Sequence, residues 1–127
     1  MNHYEEWIAR AKYNLKLSNP EIDEETIFDE LCYLTQQAVE KAFKGLLIYY
    51  CGEYELTHNI SKLLKALKQY TSIPDYIYES ECLTNYVHNA RYPGDYDDIS
   101  EDEYKKALEI TIKCIEWVES MVAEEIK

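Results

Sequence analysis

Glycine and proline are scarce in this sequence, with three of each among 127 residues. Folds made of many short strands use both residue types at frequent turns. So few interruptions therefore favour long helices. The length suits one domain around one continuous core, and we expect a single domain over residues 1–127.

Long apolar runs are also missing. The longest extends from Leu46 to Cys51, far short of the roughly 20 residues that span a bilayer. The first six residues contain neither the basic nor the apolar region of a signal peptide. We therefore expect a soluble, cytoplasmic protein that does not associate with membranes.

The cysteines form no metal-binding pattern. Cys32, Cys51, Cys82 and Cys114 are widely spaced, without a Cys-x-x-Cys pair or a neighbouring His at zinc-finger spacing. Reduced cysteines that pack as small apolar residues are favoured over a disulfide. We predict no metal and no cofactor.

Basic residues are few, with 13 Lys and Arg against 25 Asp and Glu, which gives a net charge of −12. Nucleic acid is bound mainly through phosphate contacts from clustered Lys and Arg. The charge balance therefore argues against nucleic acid as a partner through bulk electrostatics. A local basic pocket can still bind nucleic acid.

Helical periodicity is what the sequence has in abundance. Gly52 suits the end of a helix, Ser72 to Asp75 suits a helix start, and Ser100 to Glu103 forms a capping box. We predict an all-α fold, an antiparallel up-and-down helical bundle of four main helices plus one short helix. The predicted helices cover about residues 3–18, 26–50, 60–67 (the short one), 72–88 and 100–122.

Residues 34–47 of the second predicted helix read LTQQAVEKAFKGLL. This stretch closely resembles the signature helix of HEPN domains, the higher eukaryotes and prokaryotes nucleotide-binding domain family. Three further features follow in the family's order, so the resemblance extends over nearly the whole chain. They are Thr57-His58 with Leu63-Leu64 beyond, Arg91-Tyr92-Pro93-Gly94-Asp95, and a closing amphipathic helix with Trp117-Val118.

The resemblance implies a helical bundle that generally dimerises. Many HEPN domains are encoded beside, or fused to, a minimal nucleotidyltransferase in toxin–antitoxin pairs, and the family name records a proposed role in nucleotide binding. Another branch comprises metal-independent ribonucleases, in which an Arg and a His are separated by four to six residues. The thirteen tyrosines also favour a homodimer, because they are more aromatic surface than one small bundle needs.

The ribonuclease motif is absent from this sequence. His88 would need an Arg at position 81, 82 or 83, and none of these positions holds one. Arg91 follows His88, which is the wrong order. His88 and Asn89 are therefore interpreted as a remnant of the ribonuclease site or as surface residues, and no catalytic residue is assigned.

Candidate nucleotide-binding residues lie on the second helix, in the Thr57-His58 motif and in the motif from Arg91 to Asp95. They are Lys41, Lys44, His58, Arg91 and Tyr92. Two ammoniums and a guanidinium suit phosphate oxygens, a histidine donates or exchanges protons, and a tyrosine ring stacks on a base. The alternative is structural. The lysines are then solvated on a long helix or paired with Glu40 or Glu53, and His58 caps or steadies the third helix. Arg91 and Asp95 would support a loop that Pro93 and Gly94 shape.

Three functions stay open. The favoured one is a dimeric binding and regulatory protein that partners a minimal nucleotidyltransferase and binds a nucleotide. The second is a HEPN-type ribonuclease with a degenerate or rearranged site, built from His88, Asn89 and Arg91. The third is a purely protein-interaction module that uses its acidic surface.

Overall fold

The structure, a computed structural model, describes residues 3–86 and 98–124, and every regular element among them is helical. The elements are α1 (His3–Leu17), α2 (Phe28–Cys51), α3 (Ile60–Leu67), a 3₁₀ helix (Asp75–Asn85) and α4 (Glu101–Glu124). The predicted all-α helical bundle is therefore confirmed. In the described part of the chain, no helix is both long and apolar enough to cross a membrane.

The long helix α2 is the centre of the bundle and contacts α1, α3, α4 and the 3₁₀ helix. Its apolar positions form two stripes, so side chains such as Ala38, Phe43 and Leu46 are fully buried. The Phe43 ring meets the Trp117 ring of α4 edge-on at 6.2 Å. Burial of each such large apolar side chain stabilises the fold by about 1.5–3 kcal/mol.

The ends of the helices follow local signals in the sequence. Gly52 adopts a left-handed conformation (φ 84°) and donates its N–H to the Ile48 carbonyl at 2.8 Å, which ends α2. Ser100 Oγ accepts the Glu103 N–H at 3.1 Å at the start of α4. The predicted stop at Gly52 and the serine half of the predicted capping box are therefore confirmed, because each depends only on residues close in sequence.

The fourth helical element differs from the predicted one in type. Residues 75–85 form a 3₁₀ helix rather than an α-helix, although 3₁₀ runs longer than three or four residues are uncommon. The buried residues are Ile77, Ser80 and Leu83, spaced by three, which is the period of a 3₁₀ helix. The same spacing is tolerated on an α-helix, and the sequence analysis could not separate the two.

One glycine sets the distance between α1 and α2. A Cβ added at Gly45 would lie 3.1 Å from Trp7 Cβ, 3.2 Å from Ile8 Cγ1 and 3.2 Å from the Tyr4 carbonyl oxygen. A side chain at this position would therefore require these neighbours to shift by a few tenths of an ångström. The absence of a side chain at Gly45 therefore brings Trp7 close to the polar side chains of α2.

The four cysteines are all free, but only two fit the expected packing. Cys32 and Cys114 are buried, whereas Cys51 and Cys82 are exposed. Burial raises the pKa of Cys32 and of Cys114 to about 12. These two therefore remain protonated and serve as small apolar residues of the core.

Candidate functional site

Glu40, a buried carboxylate on α2, is the centre of a polar cluster. Gln36, Glu40 and Lys44 are spaced by four residues, so they share one row of the helix, and they are 1%, 6% and 7% exposed. The Lys44 ammonium donates to Glu40 Oε1 at 2.7 Å, and Gln36 Nε2 donates to Oε2 at 2.6 Å. Both carboxylate oxygens therefore have partners, as a buried charge requires.

Two aromatic rings lie near the Lys44 ammonium. Its nitrogen lies 5.9 Å from the centre of the Trp7 ring and 5.4 Å from that of Tyr54. The two rings meet edge-on at 5.0 Å. A cation over aromatic rings is attracted by their π electrons, and more strongly where water is excluded. One carboxylate and two rings therefore hold this buried cation in place.

His58 joins the cluster from the loop between α2 and α3. Its Nδ1 lies 2.9 Å from Glu40 Oε1, and its backbone oxygen accepts a longer 3.4 Å hydrogen bond from Gln36. A carboxylate only accepts, so the proton is assigned to Nδ1. The ring is 74% exposed, and its Nε2 remains the atom that a ligand can use. His58 thus fastens the loop and borders the cleft.

Lys41 follows Glu40 in the sequence but turns towards α1. Its ammonium donates to the buried Asn14 Oδ1 at 2.6 Å. Burial lowers the pKa of Lys41, and the charge of Arg10 lowers it further, while Glu40 acts in the opposite direction. A bound anion would favour the charged ammonium and oppose the effects of burial and of Arg10.

These side chains surround a cleft between α1 and α2. One part has a volume of about 210 Å³, and a second part of about 280 Å³ shares Trp7 and Lys41 with it. The second part is bordered by Glu6 and Arg10, an ion pair at 3.7 Å whose side chains are exposed. The first part is lined by Trp7, Tyr33, Gln36, Gln37, Glu40, Lys41, Lys44 and His58.

The structure brings three of the candidate residues to this one cleft, namely Lys41, Lys44 and His58. The two lysines have different partners, since Lys44 is bound to Glu40 and Lys41 to Asn14. The other candidates lie outside the described residues. They are His88, Asn89, Arg91 and Tyr92.

Sequence reasoning missed the residues that give the cleft its shape. Trp7, Arg10 and Tyr33 were not candidates, and they border it from α1 and from the first half of α2. Only one signal was available, the four-residue spacing of the polar side chains Gln36, Glu40 and Lys44 on α2. Buried polar residues at four-residue spacing indicate a paired cluster.

The chemistry of the cleft favours binding. Glu40 is paired with Lys44, whereas Lys41 and Arg10 bring positive charge to the cleft beside the Trp7 ring, and the His58 Nε2 is an acceptor at its rim. In residues 3–86 and 98–124, no group of three metal-binding side chains is close enough together to hold an ion. The available groups therefore suit an anion next to an aromatic or apolar part.

Comparisons with known proteins agree with this architecture. The crystal structure of TT1696 from Thermus thermophilus is 27% identical, with a TM-score of 0.82 over 94% of this chain and 98% of that one. The crystal structure of ST0689, described as an archaeal HEPN homologue, is 26% identical, with a TM-score of 0.73 over 96% of this chain and 99% of that one. No curated protein matches the sequence. The family model described as HEPN domain matches residues 4–121, so the chain belongs to the HEPN domain family.

Proposed function

We propose that this chain is a binding and regulatory HEPN protein, a homodimer that partners a minimal nucleotidyltransferase in a toxin–antitoxin-like pair and binds a nucleotide. The observation that carries the proposal is the cleft between α1 and α2. Its buried carboxylate is already paired with Lys44 at 2.7 Å, so the cleft offers cations and a ring rather than a free carboxylate. That combination favours ligand binding over catalysis.

The nucleotide would use two sides of the cleft. Its phosphate would lie between Lys41 and Arg10, which border the same 280 Å³ space, and its base would pack on Trp7. His58 would accept a hydrogen bond from the nucleotide through Nε2 at the rim, and Arg91 and Tyr92 are further predicted contributors. Lys44 would act indirectly, because its contact with Trp7 fixes the position of the ring.

A homodimer is supported by apolar side chains left at the surface. Tyr13 is 61% exposed, Ile27 61% and Tyr76 45%. Aromatic and large aliphatic side chains are enriched in subunit interfaces. Sedimentation equilibrium would test this state, and a monomer at micromolar concentration would contradict it.

The partnership is tested by co-expression with a minimal nucleotidyltransferase encoded beside this chain. We expect the two proteins to co-purify through size exclusion at physiological salt. Separate elution, together with no change in the transferase activity when this chain is added, would contradict the regulatory role.

Nucleotide binding is tested by calorimetry against ATP, GTP and their mono- and diphosphates. We expect Lys41→Met and Arg10→Gln each to weaken binding at least about tenfold, since each removes a charge-assisted contact worth about 1.5–3 kcal/mol. Lys68→Met, which removes an exposed lysine at the end of α3, is the matched control. Equal losses in all three variants would mean that bulk charge alone attracts the nucleotide.

The alternative function, a ribonuclease with a rearranged site, is tested on the same protein. Incubation of the purified dimer with single-stranded RNA should give no cleavage under the proposal. Cleavage that His88→Ala abolishes would establish the alternative.

A further inference from the structure

A separate cavity lies where α2 ends and α3 packs against it. We call it the α2–α3 cavity; its volume is about 220 Å³, and Glu53, Tyr54, Glu55 and Tyr70 lie around it. Both glutamates are exposed. Of the described residues that line the cavity, none is a lysine or an arginine. A cavity with two carboxylates and two tyrosine rings selects for a cation.

Charge favours a cation at the α2–α3 cavity. Glu53 and Glu55 are the acidic residues of its described lining. The pKa of Tyr70 is raised mainly by a hydrogen bond with Cys51, and the charge of Glu53 is the smallest of its causes. The whole chain carries a charge of −12, so no distant excess of positive charge offsets this local field. A cation would therefore approach the cavity favourably from solution.

The rings are held in position before any ligand arrives. Tyr70 stacks on Tyr50 with ring centres 5.9 Å apart and planes 7° apart, yet it remains 45% exposed. Tyr54 is fixed by its edge contact with Trp7. Rigid rings lose little conformational freedom on binding, which favours recognition.

Elsewhere in this protein, the same types of group already bind a cation. The ammonium of Lys44 is held by one carboxylate and by the rings of Trp7 and Tyr54. The α2–α3 cavity offers a comparable set, two carboxylates with the rings of Tyr54 and Tyr70, but none of its described lining residues supplies the cation. The occupant is therefore expected to come from another molecule.

We propose that the α2–α3 cavity binds an arginine side chain presented by a basic segment of a partner protein. A guanidinium is flat and carries five N–H donors, so it can stack on a tyrosine ring while donating to a carboxylate, which an ammonium does less well. Leu56, 92% exposed on the same loop, offers an apolar contact to the rest of the segment. The proposal needs neither the nucleotide nor the nucleotidyltransferase.

Fluorescence anisotropy of the full chain with a fluorescein-labelled Gly-Arg-Gly-Arg-Gly-Arg-Gly peptide tests this proposal. The matched peptide contains citrulline, which keeps the shape of arginine without its charge. We expect the arginine peptide to bind and the citrulline peptide to bind at least about tenfold more weakly. Glu53→Gln/Glu55→Gln should weaken arginine binding about tenfold, and Tyr70→Leu about fivefold.

The control variant is Glu21→Gln/Glu24→Gln, which removes the same charge from the exposed connector before α2. That connector lies at the opposite end of a 24-residue helix, about 36 Å away, so less than a twofold effect is expected. An equal loss in both double variants would mean attraction by net charge and would overturn the proposal. Three other results would also overturn the proposal. They are unchanged binding in Tyr70→Leu, equal binding of the citrulline peptide, and no binding of the arginine peptide at millimolar concentration.

Discussion

The pair of Glu40 and Lys44 gives the most direct test of the site's construction. Their side chains are 7% and 8% exposed and lie 2.7 Å apart. Removing one partner from a buried ion pair leaves an uncompensated charge, which costs about 3–5 kcal/mol. We therefore expect Lys44→Met and Glu40→Gln each to lower the free energy of unfolding by about 3 kcal/mol.

The double variant should be far less damaged than the sum of the two single variants. Glu40→Gln/Lys44→Met contains no buried charge, and the methionine keeps the apolar stem of the lysine against Trp7. Replacement of a whole buried pair is often nearly neutral. We expect a loss of about 1–2 kcal/mol and therefore a strong coupling between the two sites.

Urea unfolding followed by tryptophan fluorescence and far-UV circular dichroism measures these values. Protein concentration must be constant, because dimerisation would add to the apparent stability. Lys113→Met is the matched control, since Lys113 and Glu109 form a pair at the same spacing but with side chains 50% and 67% exposed. That change should cost under about 0.5 kcal/mol. The opposite result would be that each single variant loses less than about 1 kcal/mol and that the two losses add up in the double variant. That result would show that the Glu40–Lys44 pair is solvated and would refute this account of the cleft.

Three further predictions concern the packing and the ends of the helices. Gly45→Ala should lower the free energy of unfolding in urea by about 1–2 kcal/mol, because the new Cβ would lie 3.1 Å from Trp7 Cβ. This loss should exceed the gain in helix propensity. A net increase in stability would contradict the close approach of α1. Ser100→Ala should cost about 1 kcal/mol of unfolding free energy through loss of the helix cap, while Ser100→Asp should retain the stability. Cys32 and Cys114 have pKa values of about 12, above the ordinary 9.0. The unfolded thiols therefore lose protons first, and stability should fall between pH 9 and about 12; a Cys32→Ala/Cys114→Ala variant with an unchanged slope would refute this.

The sequence predicts the fold where the signals are local or periodic. The end of α2 depends on Gly52, and the start of α4 depends on Ser100, so both are predicted within one or two residues. The segment from Asp75 to Asn85 was assigned to the wrong kind of helix, because three-residue spacing over so short a stretch fits both types. That assignment depends on contacts with α4 and α3, which a window of sequence does not contain.

The site is predicted less completely than the fold. Lys41 and Lys44 are three residues apart, which suggests a shared phosphate ligand, yet their ammoniums bind Asn14 and Glu40. A lysine side chain is long enough to turn either way along a helix, and the choice is made by its buried partners. Helical spacing fixes the position of a backbone atom but not the direction of a flexible side chain.

Gly45 explains why the cleft could not be inferred from α2 alone. With no side chain at this position, α1 approaches closely enough for Trp7 to contact the row that contains Lys44. The ring then contacts Tyr54, and the same loop continues to His58, which returns to Glu40. The cluster is therefore closed by residues from three segments that are distant in sequence. A change at Gly45 should thus disturb the ion pair, the loop and the cleft together, whereas a change at His58 should affect the loop and the rim of the cleft but not the packing of α1 on α2.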